Sequence, residues 1–276
     1  MTKIFHNWSQ KEDNKRREER EKEENKYIPS HMKIVLIGLS GAGKTTLLTA
    51  LCSSDSEAYE LCLYGEGGSR SITEEEKKAW DTEADETSTS KFFNYGKLII
   101  TIDNNYNFYF YSEHRGVIEN RDILITLFDT CGQAPYQELN TSQFGGADGA
   151  IFVLDAALPI TKKRVLRILQ VYTQIVKYFL EKEKKQIPIL FICNKQDLKS
   201  AISSIMYRTT LKSYIIDIGP RIWNLFSNHK FLDTSALRNK ESVKIALIKL
   251  IKEIITIQNI KETQTGLKTL FGDYKR

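Results

Sequence analysis

Cysteine is scarce in this chain of 276 residues, limited to Cys52, Cys62, Cys131 and Cys193. They form no CxxC pair and have no histidine at metal-ligand spacing. That argues against a zinc site or a disulfide frame, and for free thiols in a reducing compartment. An excess of one charge is also lacking. The 40 basic and 35 acidic residues leave +5, too little to argue for a nucleic-acid partner. No apolar run approaches the ~18 residues that span a bilayer. Charge begins almost at the first residue, so no secretory signal is expected. Thr2 stands where N-myristoylation needs Gly, and Gly272–Arg276 has no nearby Cys for prenylation. The expectation is a soluble, cytoplasmic chain without a lipid anchor, at most peripheral at a membrane.

What is present is enough to fold. At 41% hydrophobic and 27% charged, most of the chain can bury a core, as one large domain or a smaller one with extensions. Residues 9–26 are the exception, with seven basic and seven acidic residues. They read as a solvated helix or a disordered tail. Before them Ile4, Phe5 and Trp8 could share a helical face and dock on the domain, a partner or a membrane surface.

Short β-branched apolar runs at 32–37, 98–102, 123–128, 150–154 and 189–193 read as strands, with a last short one at 230–232. Phe108–Tyr111 adds a hairpin partner across the turn Asp103-Asn104-Asn105. Helical spacing of Val165, Ile168, Leu169, Tyr172, Ile175, Val176 and Phe179 predicts a helix over about 161–184. Val243 to Ile254 predicts another over 240–258. Strands alternating with helices predict an α/β fold, a doubly wound, mostly parallel six-stranded sheet with helices on both faces. Residues 53–90 interrupt it. They hold eleven acidic residues against three basic ones and read as a surface insertion, mobile in part.

Four motifs carry chemistry. Gly38-Leu39-Ser40-Gly41-Ala42-Gly43-Lys44-Thr45 fits GxxxxGK[ST] between a strand and a helix. Small residues let the amides of about 41–45 turn inward on a β-phosphate, and the helix N-terminus, with Thr46 in its first turn, adds positive potential. Lys44 reaches the β- and γ-phosphates as a point charge. The Thr45 hydroxyl suits Mg²⁺, a hard ion that prefers oxygen. Alone, this motif says nucleoside triphosphate without naming the base.

The base is named by Asn194-Lys195-Gln196-Asp197, directly after an apolar strand. The Asp197 carboxylate can accept from guanine N1–H and the 2-amino group; adenine offers neither donor and would leave the carboxylate unpaired. The Lys195 stem can lie over the base, and Asn194 can tie this loop to the phosphate loop. Thr234-Ser235-Ala236 fits the companion loop, where the Ala236 N–H would reach guanine O6. Asp129-Thr130-Cys131-Gly132-Gln133 is DxxGQ. Asp129 would hold Mg²⁺ through a water, the Gly132 amide would bond the γ-phosphate, and Gln133 can orient the attacking water.

In this order the motifs resemble the Ras superfamily of small GTPases, over roughly 33–52 and 97–258. Asp148-Gly149-Ala150, a strand ending in Asp155, and Asn194–Leu198 look like the Arf and signal-recognition-particle-receptor-β branches. Arf proteins have a glycinated N-terminus, however, and receptor-β proteins a membrane anchor and usually His where Gln133 stands. Ser40 occupies a position where Ras itself has Gly. The resemblance implies a G domain over 32–258, with a charged extension at 1–31 and a tail at 259–276. It also implies a Mg²⁺-binding switch I Thr before the second strand, for which Thr89 or Ser90 is the candidate.

The function implied is a Mg²⁺-dependent switch that hydrolyses GTP to GDP and phosphate. No Arg stands in an evident position to act as a finger, so slow turnover is expected, with an activating protein, an exchange factor and effectors as partners. The competing expectation is a GTP-loaded scaffold or receptor-type subunit that hardly hydrolyses. An ATP-using enzyme fails on Asp197.

Overall fold

The computed structural model describes residues 27–52, 59–65, 68–71, 94–111, 121–130 and 144–271. One mixed sheet runs through them. Its strands are β1 (His31–Ile37), β2 (Glu60–Gly65), β3 (Gly68–Ser71), β4 (Asn94–Ile102), β5 (Phe108–Phe110), β6 (Arg121–Asp129), β7 (Gly149–Asp155), β8 (Ile189–Asn194) and β9 (Lys230–Asp233). The helices are α1 (Lys44–Cys52), α2 (Lys162–Glu181), α3 (Ser204–Ile218), α4 (Pro220–Ser227) and α5 (Lys240–Phe271).

The order across the sheet is β3-β2-β4-β6-β1-β7-β8-β9, with β5 paired to β4. Strands β6, β1, β7, β8 and β9 are mutually parallel, whereas β4 runs antiparallel to β6 along the register Asn94↔Asp129 to Ile102↔Arg121. The sheet is thus wider than the six strands expected. Strands β1, β4, β6, β7, β8 and β9 are those six; β5, expected as a hairpin partner, adds to them, and β2 and β3 are further additions. Two of the additions come from the acidic insertion. Part of it is an antiparallel hairpin that pairs Cys62 with Tyr95 and extends the sheet past β4.

Alternation along β1 splits the core in two. Ile34 and Leu36 face α1 and α5, packing with Leu47, Leu48, Leu250 and Ile254; Val35 and Ile37 face α2 and α3, packing with Val165, Ile168, Tyr207 and Leu211. Strand β7 is buried along its whole length, as a strand with helices on both faces must be.

Local chemistry sets the helix ends. The Thr161 side chain accepts from the Arg164 N–H (3.3 Å) and starts α2, which stops before Lys184, whose φ is 52°. The Ser203 side chain caps α3 by accepting from the Met206 N–H, and Pro220 opens α4 where its missing N–H costs nothing. Helix α5 continues past the expected end at 258 to Phe271. The Asn259 side chain holds the entering chain, accepting from the Tyr27 N–H (2.7 Å) and donating to the Tyr27 carbonyl (3.0 Å). No helix among the described residues is long and apolar enough to cross a membrane.

Candidate functional site

The motifs converge at the carboxyl ends of the parallel strands. Strand β1 lies between β6 and β7, so the chain crosses over in opposite directions on its two sides, the crevice where open α/β sheets bind ligands. The phosphate loop, 38–43, leaves β1 there and enters α1 at Lys44. Two glycines are dictated by close approach. A Cβ on Gly38 would strike the Val153 carbonyl of β7. One on Gly43, where φ is +90°, would strike the Asn194 carboxamide. Gly41 is also left-handed, at φ +75°, beside Ser40 and Ala42 at the head of the loop.

The Lys44 ammonium lies across this loop, 93% buried as a residue, donating to the carbonyls of Gly38 and Leu39 at 3.1 Å each. In the first turn of α1, the Thr45 hydroxyl donates to Asp129 Oδ2 (2.5 Å), and Thr46 follows it. Asp129 ends β6 and is fixed by its neighbour. The Thr130 N–H (3.2 Å) and hydroxyl (2.7 Å) both donate to the Leu36 carbonyl of β1. Asn94, the first residue of β4 and directly opposite in register, donates its amide to the same Oδ2 at 3.0 Å.

The other carboxylate oxygen, Asp129 Oδ1, is buried and has no hydrogen-bond partner among the described residues. Burial pushes the Asp129 carboxyl above the usual carboxylate range, opposed by the Lys44 charge and by the bonds from Thr45 and Asn94. An orphaned buried carboxylate oxygen beside a hydroxyl suits a hard divalent cation, which would satisfy it. No group of three or more His, Cys, Asp or Glu side chains placed to hold a metal occurs among the described residues; among them the Asp129 carboxylate and the Thr45 hydroxyl are the adjacent oxygen donors.

The second half is built on the loop after β8. Asn194 uses both ends of its carboxamide. Its nitrogen donates to the Ala42 carbonyl of the phosphate loop at 3.1 Å. Its oxygen accepts from the Ala236 N–H at 3.0 Å and the Thr234 hydroxyl at 3.4 Å. The Ala236 amide, expected at guanine O6, thus lies at the end of the bridge that Asn194 makes between the two loops. Ser235 donates its hydroxyl to Asp197 Oδ1 (2.5 Å) and accepts from the Arg238 N–H (3.0 Å), which aims the carboxylate. Lys195 sits at φ 69°, a left-handed conformation that costs a non-glycine residue on the order of 1–2 kcal/mol. Its ammonium pairs with Asp155 Oδ2 at 2.9 Å.

Three contributors escaped the sequence reading. Asn94 is one. Asp155, quoted only as a strand end, is the buried counter-ion of Lys195. Gln196, the variable position of its motif, donates to the carbonyls of Ile202 (2.9 Å) and Cys193 (3.3 Å) and to Asp233 Oδ1 (3.0 Å). An acidic residue closing a wholly apolar strand was the available signal for Asp155. Nothing local marked the other two. Gly132 and Gln133, with Thr89 and Ser90, lie outside the described residues.

Comparison with known proteins identifies relatives of the chain. The model of the Ras family matches residues 89–256. The chain is 26% identical over 150 residues to a Ras and EF-hand domain-containing protein homolog of Caenorhabditis elegans, a match covering 54% of this chain and 21% of that protein. It is 28% identical over 150 residues to the Ras-related protein RABA2a of Arabidopsis thaliana, covering 54% and 61%. Against the Ras-related protein Rab-11A of Dictyostelium discoideum it is 28% identical over 155 residues, covering 55% and 62%. The chain thus spans about a fifth of the first relative and about three fifths of the Rab proteins.

Proposed function

This chain belongs to the Ras family, the small GTPases that bind GTP and GDP, and we propose that it is a Mg²⁺-dependent switch that hydrolyses GTP to GDP and phosphate. The observation that carries the reading is the Asn194 carboxamide, which joins the phosphate loop at Ala42 to the loop at 234–236. The two halves therefore form one site of fixed span, with an ammonium at one end and a carboxylate at the other.

At the phosphate end, Lys44 exchanges its carbonyl acceptors for β- and γ-phosphate oxygens, and the amides of 41–45 close around the β-phosphate. The Thr45 hydroxyl and the Asp129 carboxylate would hold Mg²⁺, with Thr89 or Ser90 supplying the switch I hydroxyl; the ion supplies charge neutralisation on the phosphates when bound. At the base end, Asp197 accepts from N1–H and the 2-amino group, oriented by the Ser235 hydroxyl. The Lys195 stem covers the base. The Ala236 N–H, which donates to the Asn194 carboxamide, would turn to guanine O6.

Hydrolysis rests on Gln133, which would orient the attacking water, and on the Gly132 amide at the γ-phosphate. Activating proteins, exchange factors and effectors complete the cycle. The test is multiple-turnover phosphate release by the purified chain with GTP and Mg²⁺. The wild type should release phosphate slowly, and Gln133→Leu should lower the rate by about 10-fold or more while GDP binding is retained. Equal rates in the two proteins would overturn the role of Gln133.

A further inference from the structure

Behind the base-binding loop lies a clamp that no nucleotide motif contains. Strand β7 ends at Asp155, and the chain reaches Thr161, the cap of α2, through a loop that Arg164 closes from within. Its guanidinium donates through Nη2 to the Asp155 carbonyl (2.7 Å) and through Nη1 to the carbonyls of Leu158 (2.7 Å) and Pro159 (3.4 Å). One planar fork thus spans both ends of the turn, which an ammonium cannot do. The same loop is sewn to the base-site strand. The Ala156 N–H donates to the Asn194 carbonyl (3.0 Å), and the Ile202 N–H to the Ala156 carbonyl (3.0 Å).

Fixing the Asp155 backbone fixes its carboxylate. That side chain is 4% exposed as a residue and has two tasks. Oδ1 accepts from the Ala157 N–H (2.9 Å), and Oδ2 lies 2.9 Å from the Lys195 ammonium. Lys195 is held in a left-handed backbone conformation that is uncommon for a residue other than glycine. The ion pair anchors the far end of its stem, so the stem is stretched between a constrained backbone and a buried anion. A long side chain with many rotamers is thereby reduced to few, and the cost of ordering it over a base is met before the nucleotide arrives.

We infer that Arg164 is a positioning residue for the guanine site, acting through Asp155 to set the Lys195 stem over the plane of the base. This rests on the guanine-site reading above. It predicts that the phosphate half of the site is indifferent to Arg164. A merely structural Arg would instead affect both halves together.

The experiment uses the full chain and two probes: fluorescent GDP, which needs both halves, and inorganic pyrophosphate, which needs only the phosphate loop. Arg164→Ala and Asp155→Asn should each weaken GDP about 10-fold, mostly through faster release, with pyrophosphate affinity changed less than about 2-fold. Lys195→Met keeps the stem length and removes the ammonium. Combined with Arg164→Ala it should be no weaker for GDP than Lys195→Met alone, because both act on one element. Arg164→Lys, which keeps the charge but not the fork, should fall between wild type and Arg164→Ala. It serves where the alanine variant does not fold.

Wild-type GDP release in both Arg164 variants, a parallel loss of GDP and pyrophosphate, or full additivity with Lys195→Met would each overturn the inference. Failure of the wild-type chain to bind GDP at all would instead remove the guanine-site reading, and this inference with it.

Discussion

Asn194 is fully engaged in this site. Its carboxamide nitrogen meets the Ala42 carbonyl and its oxygen meets the Ala236 amide, with the Thr234 hydroxyl beside them. Truncation to Ala would leave those buried groups unpaired, at about 1–3 kcal/mol each, and would loosen two loops at once. Asn194→Ala should weaken GDP binding by about 10- to 100-fold and lower the melting temperature, read by fluorescent GDP titration and thermal unfolding. Affinity within twofold of wild type would contradict the bridging role. At this scale the sequence was legible where function is written in local spacing. Lys44 and Thr45 follow their glycines directly, and Asp197 follows its strand. Asn94 was not legible, because its partner Asp129 lies 35 residues away; nor was Gln196, which joins its own loop at Cys193 and Ile202 to Asp233, 37 residues away.

At the scale of elements, the junction of α2, α4 and β9 contains a titratable group in an aromatic setting. His229 packs against Tyr172 (5.6 Å) and Phe191 (5.5 Å), and its Nε2 lies 2.8 Å from the Tyr172 hydroxyl. Burial lowers its pKa below the ordinary 6.5, opposed by the charge of Glu253 and a backbone hydrogen bond at Ile189. The folded chain therefore resists protonation that the unfolded chain accepts. The stabilisation is present above about pH 6.5 and is lost as pH falls through the lowered folded-state value. Thermal unfolding of the wild type should show a lower midpoint at pH 5.5 than at pH 7.5, and His229→Gln should shrink that difference. An unchanged difference in the variant would assign the pH dependence elsewhere.

Elements were legible where apolar residues recur in the period of a strand or a helix, as in β7 and α2. The hairpin of β2 and β3 was not, because strongly acidic flanks obscured a short segment whose strand character depends on non-local pairing with β4. Helix α5 outruns its apolar stripe, and backbone hydrogen bonding carries it on to Phe271.

For the molecule as a whole, the sheet acts as a plate with a separate core on each face, and the site forms along one edge of it. Phe191 lies at the centre of one core, stacked on Phe152 (5.0 Å) and Phe231 (4.7 Å). It is also three residues before Asn194. Phe191→Ala should cost about 3–5 kcal/mol of folding stability, measured by urea unfolding, and saturating GDP should recover part of it by mass action. No recovery by GDP would mean that the variant no longer binds nucleotide, and that this core shapes the site. The family model begins at residue 89, so it takes in the DxxGQ, NKxD and 234–236 elements and leaves out the phosphate loop. The insertion interrupts the chain between the two parts, and only the fold brings them back together, joined at Asn194.

The account depends on a single guanine nucleotide held between Lys44 and Asp197, and calorimetry with GDP, ADP and xanthosine diphosphate tests it most directly. The wild type should bind GDP more tightly than ADP by about 10⁴-fold, since adenine leaves the Asp197 carboxylate unpaired. Asp197→Asn should turn the preference to xanthosine diphosphate, whose C2 oxygen accepts the new amide. Equal affinity of the wild type for GDP and ADP, or an Asp197→Asn variant that still prefers GDP, would contradict it.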